Sequence, residues 1–244
     1  MVSAFSFCLY GPETPKYYTG LLENIQLINQ HYPTWTIYVY AGADVPTHFL
    51  ETLRSRPSVV VRETGLYGPI NTVHRFFAID EPDVDLVLFR DADSRIHWKD
   101  RWAIQRFLES EKTAHIIRDH REHGTAILAG LWGLRKGVLQ RPLRDLLAEW
   151  VPTHAGSGDA KDPLGFGIDQ NFLLLVVYPR ITADALVHYS FNCLYAGEHA
   201  EAFPFEWTDD LYCGKQVDLS RPPRSAHLIP RQRPVRALEF LPKK

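Results

Sequence analysis

Leu86–Arg95 reads LVLFRDADSR, a strand-like apolar run that ends in two aspartates one residue apart. A short apolar run bounded by charge is the signature of a buried strand. Two carboxylates at its mouth are costly to desolvate unless something neutralises them. If the backbone stays extended, Asp91 and Asp93 project to one side with α-carbons about 7 Å apart. That separation suits one hard divalent ion, Mg²⁺ or Mn²⁺, bridging both acids to a diphosphate. Arg75, Arg90 and Arg95 are the nearby cations that would share the diphosphate's charge. A plainer reading stands beside it, with Asp91 capping the following turn and Asp93 paired to an arginine.

Upstream of this run, strand-like and helix-like patterns alternate. SAFSFCLY (3–10) reads as a first strand leading into a Gly-Pro loop, and YYTGLLENIQLINQHY (17–32) sets Leu21, Leu22, Ile25 and Ile28 at helical spacing. WTIYVYAG (35–42) is a second strand, THFLETLRS (47–55) a short helix, SVVVRET (58–64) a β-branched third strand and INTVHRFFAI (70–79) a third helix. This alternation predicts an α/β fold with an open sheet flanked by helices, whose ligand crevice lies beyond the carboxyl ends of the strands. The loops after Tyr10, Tyr40, Glu63 and Phe89 are therefore the candidate site.

The second half is less regular. TAHIIRDH (113–120) reads as a strand, AILAGLWGLRKGVL (126–139) as a strand or turn with a helix start, and LRDLLAEWV (143–151) as a helix. PTHAGSGDAKDPLGFG (152–167) has the Gly, Asp and Pro content of a loop, and IDQNFLLLVVYPRI (168–181) follows it as an apolar helix. One domain over residues 1–219 is expected, with a Pro- and Arg-rich tail at 220–244 that wraps over the surface.

Composition narrows the function classes. The chain has 244 residues, 45% of them hydrophobic, and a formal net charge of −2, so nothing draws it as a whole to nucleic acid. Cys8, Cys193 and Cys213 are odd in number and far apart, which fits reduced thiols and a cytoplasmic setting better than a disulfide framework. No run has the length of a membrane span; the basic tail is the part that would touch a membrane peripherally.

Taken together, SFCLYG (6–11), KYYTGLLENIQLINQHYPTWTIYVYAG (16–42), HRFFAID (74–80), VDLVLFRDADSR (84–95), RDHREHGTAILAGLWGLRK (118–136) and GIDQNFLLLVVYP (167–179) resemble the small GT-A-type glycosyltransferases of bacterial and large-virus glycan pathways. The resemblance spans residues 4–195. It implies a GT-A-like nucleotide-binding mixed sheet, with residues 1–97 as the nucleotide-sugar half and 98–219 as the sugar and acceptor half. It also implies a nucleotide-sugar donor, with a UDP-sugar foremost, a Mn²⁺ or Mg²⁺ ion at Asp91 and Asp93, and transfer to a hydroxyl of a glycan or lipid-linked acceptor.

The same resemblance distributes roles. Tyr10 and Gly11 fall where the base and ribose are received, with Glu13 and Tyr17 close behind; Asp44 is either a further ribose contact or an Asx-turn residue. Arg75 is read as a donor phosphate or base contact. Asp119, His120 and His123 are candidates for the donor sugar's hydroxyls, and Trp132, between Gly130 and Gly133, either faces a pyranose ring or packs in the core. For an inverting transfer a carboxylate must take the acceptor's proton; Asp169 is the first candidate, with an N-cap as its alternative role, and Asp119 is the reserve. His188, late in the chain, is the candidate third metal ligand, and residues 153–166 are read as a loop that closes over the donor. Two other functions compete. A haloacid-dehalogenase-type phosphohydrolase needs Thr or Val where this chain has Arg95, and a glycan- or partner-binding protein without transfer activity would share the fold.

Overall fold

Along β1 (Val2–Leu9), Phe5, Phe7 and Leu9 alternate with Ala4, Ser6 and Cys8, and helices cover the two faces this creates. The computed structural model describes residues 2–154, 167–191, 194–208 and 211–217. α1 (Tyr18–His31) lays Leu21, Ile25 and Ile28 on one face of the sheet, as their spacing requires. β2 (Thr36–Ala41), α2 (Thr47–Arg54) and β3 (Val59–Glu63) follow. The expected third helix is broken into a 3₁₀ turn (Gly68–Ile70), the single turn α3 (Asn71–His74) and a second 3₁₀ segment (Arg75–Asp80). β4 (Val84–Arg90) then enters the core.

α4 (Trp98–Glu109) has no counterpart in the sequence reading. Charged residues interrupt its apolar positions, and its stability is tertiary: Asp100 makes a two-pronged pair with the buried Arg90 at 2.9 and 3.1 Å, and Lys99 pairs with Asp119 at 2.6 Å. β5 (Ala114–Arg118), β6 (Leu131–Arg135), α5 (Leu143–His154), α6 (Ile168–Phe172) and α7 (Tyr178–Ile181) come next. A π-helical stretch, Leu173–Val177, joins α6 to α7. β7 (Ala185–Tyr189) and β8 (His199–Ala202) complete the sheet.

The sheet order is β3-β2-β1-β4-β6-β5-β7-β8. Only β6 runs antiparallel, to β4 on one side and β5 on the other, among the described strands. This is an open, mixed α/β sheet flanked by helices, as expected from the sequence. The chain winds outward from β1 to β3 and then returns to β4 on the far side of β1, so the topological switch lies between β1 and β4, where a crevice opens beyond their carboxyl ends.

Two apolar layers cover the sheet. Phe5, Phe7, Leu86 and Leu88 face α1, α2 and α4, whereas Val87, Phe89 and Trp132 face Phe76 and the α5–α7 side. Asp91 continues the register of Val87 and Phe89 and so emerges on the side of Arg75 and α6. The tail at 220–244 lies outside the described residues, as does the expected closing loop from residue 155 onward.

Candidate active site

β4 ends at Arg90, and Asp91–Asp93 form a turn, so the extended spacing expected of the two acids is not adopted. α1 sets that turn from below. Asn24 is fully buried on its apolar face, donating to Ser94 O at 2.7 Å and accepting from Ile96 N at 3.1 Å. Gly20 allows the close approach, since a Cβ there would lie 2.2 Å from Ala92 O. The two carboxylates end up unlike each other: the Asp91 side chain is 45% exposed and that of Asp93 only 8%. Burial, then the neighbouring Asp91, push the Asp93 carboxyl above its ordinary value, against the pull of Lys16, whose Nζ lies 3.3 Å from Oδ2.

Arg75 occupies the centre. Its backbone carbonyl accepts from the buried Ser6 hydroxyl at 2.6 Å, and its guanidinium pairs with Asp91 on one arm and with Asp169 Oδ2, at 2.8 Å, on the other. Burial disfavours its charge, yet Asp91 and the other anionic neighbours outweigh burial and hold it above the ordinary arginine value. Asp169 follows Gly167, whose φ of 87° makes the turn into α6. Its Oδ1 accepts from Gln170 N at 2.9 Å, and the Gln170 side chain reaches Ile127 O and Ala129 N, tying α6 to the segment before β6. In that segment Gly130 passes so near Asp91 that a Cβ would lie 2.0 Å from Oδ2.

Two cavities meet at these residues. The larger, about 460 Å³, runs from Tyr10, Gly11, Pro12 and Tyr17 past Thr72 to Asp91, Asp93 and Gln216. The smaller, about 210 Å³, is walled by His123, Leu128, Leu131, Gln170 and Gly214. Arg75, Asp91 and Asp169 line both. A ligand in the larger cavity and a second in the smaller would therefore face each other across one guanidinium and two carboxylates.

The structure thus gathers Tyr10, Gly11, Arg75, Asp91, Asp93, His123 and Asp169 around the crevice, and it separates the other predicted residues from it. Trp132 is fully buried and stacks on Phe89 at 4.3 Å, because β6 pairs with β4 and turns that side chain into the core. Asp119 is sealed: Lys99, the Ser190 hydroxyl and Cys213 N, at 2.8 Å, occupy its oxygens, so it has no opening from which to act as the reserve base. His120 stacks on Tyr212 at 4.2 Å and lines neither cavity.

His188 sits in mid-strand on β7, three strand spacings from β4 and so about 14 Å away. There its Nδ1 is 2.9 Å from Nε2 of His115, and Trp102 packs against it, so it is not brought to Asp91 and Asp93. Arg90 is committed to Asp100 and Arg95 to Glu23, which removes both from the diphosphate's reach. Asp44 lines neither cavity, although its Oδ1 is buried with no hydrogen-bond partner. Sequence reasoning missed Lys16, Gln216 and Gln170. Lys16 alone carried a signal, a lone cation in the loop after the first strand.

Among the described residues no group of three or more His, Cys, Asp or Glu side chains is arranged to hold a metal. Two carboxylates on a cavity wall nevertheless fit an ion of the Mg²⁺ type, which takes its other ligands from phosphate oxygens and water. Among the described residues no helix is long and apolar enough to cross a membrane.

No family model matches the chain, and no curated protein matches it by sequence. Its fold overlaps in part with solved glycosyltransferases. One is residues 1–349 of TarS from S. aureus, solved alone and with UDP-GlcNAc: identity is 17%, the TM-score 0.43, and the match covers 57% of this chain and 48% of that one. The chain thus spans about half the length of that 1–349 fragment. Another is a glycosyltransferase involved in glycosylation of the major capsid of PBCV-1, at 16% identity and a TM-score of 0.46, over 78% of this chain and 82% of that one. A third is glucosyl-3-phosphoglycerate synthase from Mycobacterium tuberculosis with Mn²⁺, UDP and phosphoglyceric acid, at 15% identity and a TM-score of 0.47, over 77% and 68%. At these values the likeness is a partial one of fold.

Proposed function

We propose that the chain is a metal-dependent glycosyltransferase that moves a sugar from a nucleotide-sugar, a UDP-sugar foremost, to a hydroxyl of a glycan or lipid-linked acceptor. The observation that carries the reading is the meeting of two cavities at Arg75, Asp91 and Asp169, at the switch point of an open α/β sheet. On this reading the larger cavity takes the donor, with Tyr10 and Gly11 toward the base and Asp91 and Asp93 toward the diphosphate. The smaller, walled mainly by residues beyond position 97 together with Arg75 and Asp91, takes the acceptor on this reading.

Divalent metal held at Asp91 and Asp93 would offset the charge of the departing nucleoside diphosphate. Arg75 keeps Asp91 and Asp169 at a fixed separation and adds a positive charge beside the leaving group. Asp169 lines both cavities, and on this reading its carboxylate takes the acceptor hydroxyl's proton in an inverting transfer. Asp119 takes no part in this scheme.

The test is a donor screen with Mn²⁺ and UDP-, GDP-, CMP- and dTDP-sugars, reading release of free nucleotide. The expected result is metal-dependent release from one donor, lost in Asp91→Asn/Asp93→Asn. Binding of glycans with no release from any donor would favour the non-transferring alternative.

A further inference from the structure

Lys16 enters the site from the loop after β1. Its Nζ lies 3.3 Å from Asp93 Oδ2 and 3.0 Å from Gln216 Oε1, and both acceptors line the larger cavity. The side chain is 40% exposed, whereas that of the acid it neutralises is 8% exposed. Val217 N donates to Asp93 O at 2.9 Å, so the segment carrying Gln216 is fastened to the same turn. Lys16 therefore stands at the carboxylate that, on the function proposed above, a divalent ion would share.

Charge decides what this arrangement does. Asp91, Asp93 and Asp169 face Arg75 and Lys16, which leaves the site one negative charge in excess. A divalent ion alone would turn that into one positive charge, next to an ammonium already on Asp93. The diphosphate of a nucleotide-sugar alone would add two negative charges, and free UDP up to three, to a site that is already negative. Only when both arrive does the net charge return to its starting value, or to within one charge of it, and Lys16, displaced from Asp93, then has phosphate oxygens to move to.

We infer that Lys16 is a placeholder cation that couples metal and diphosphate binding: it opposes the ion in the absence of nucleotide and holds the diphosphate in its presence. The inference rests on the proposed function and predicts effects of opposite sign from one substitution. Lys16→Met should tighten Mn²⁺ binding without nucleotide by about fivefold, the scale of a partly exposed ion pair. The same change should weaken UDP binding at saturating Mn²⁺ by about tenfold, the loss of a charge-assisted contact to phosphate.

Titration of the full chain with Mn²⁺ alone, followed by electron paramagnetic resonance, and with UDP in the presence of Mn²⁺, followed by calorimetry, reads both terms without turnover. Lys16→Arg should restore the wild-type pattern. If Lys16→Met leaves both affinities unchanged, or moves them in the same direction, the lysine is structural and the inference is overturned while the proposed function stands. If the wild-type chain binds no UDP with Mn²⁺, the UDP-sugar reading and this inference fail together.

Discussion

Arg75 spans Asp91 and Asp169, so removing either acid disturbs more than one contact. This matters for testing Asp169, whose pairing with Arg75 gives it a purely electrostatic reason to be there. Asn at that position keeps the shape and loses the proton acceptor. Asp169→Asn is expected to lower kcat by about 10²- to 10⁴-fold, the usual scale of general-base catalysis, with the affinity for UDP and Mn²⁺ little changed. Should nucleotide affinity fall as far as kcat, Asp169 serves as Arg75's counter-ion and the base lies elsewhere. At this scale Asp91 and Asp93 were legible because acids ending an apolar strand are unusual whatever the rest of the chain does. Trp132 and His188 went the other way: their types suggest sugar and metal contacts, but the strand register turns both inward, which for Trp132 is the core packing left open as its alternative.

At the level of elements, the aspartate turn owes its shape to α1 and to the segment before β6. Asn24 and Gly20 hold its underside, and Gly130 leaves room for the Asp91 carboxylate. Gly20→Ala is the cleanest probe, because the added methyl would meet the backbone oxygen of Ala92, which cannot rotate away. Metal-dependent UDP binding should weaken by about tenfold or more, in keeping with about 1–3 kcal/mol for an overpacked contact, while circular dichroism still reports a folded chain. Unaltered binding in a folded Gly20→Ala variant would show that α1 does not set the turn. α4 illustrates the limits of periodicity: with Lys99, Asp100, Arg101 and Arg106 in a twelve-residue helix, only the distant Arg90 and Asp119 reveal why it is stable where it is.

Across the whole molecule, the buried histidines make stability depend on pH. Burial holds His188 down to about 3 and lowers His115, which His188 and Arg90 depress further; burial also takes His123 down to about 4. In the unfolded chain these groups titrate near about 6.5. Below that pH the unfolded state binds protons that the folded state refuses, so stability is full above about pH 6.5 and is lost as pH falls toward the folded values. Between pH 7.5 and 5.0 each fully buried histidine should cost about 2 kcal/mol. Thermal unfolding at pH 7.5 and 5.0 should show a lower Tm at the acid end, with a smaller difference in His188→Gln; equal differences in the two proteins would remove His188 from the account.

Hydrophobic period and turn chemistry act over a few residues, and what they control could be read from the chain by itself: the alternation of strands and helices up to β4, the crevice beyond β1 and β4, and the two acids at its edge. The tertiary structure alone decided that β6 runs antiparallel between β4 and β5, that α4 exists, that Asp119 and His188 are sealed in the core, and that Lys16 reaches Asp93 and Gln216. Lys16 and Gln216 lie 200 positions apart. Contacts at that separation depend on the direction and register with which the sheet assembles, and no local pattern of residue types encodes either one.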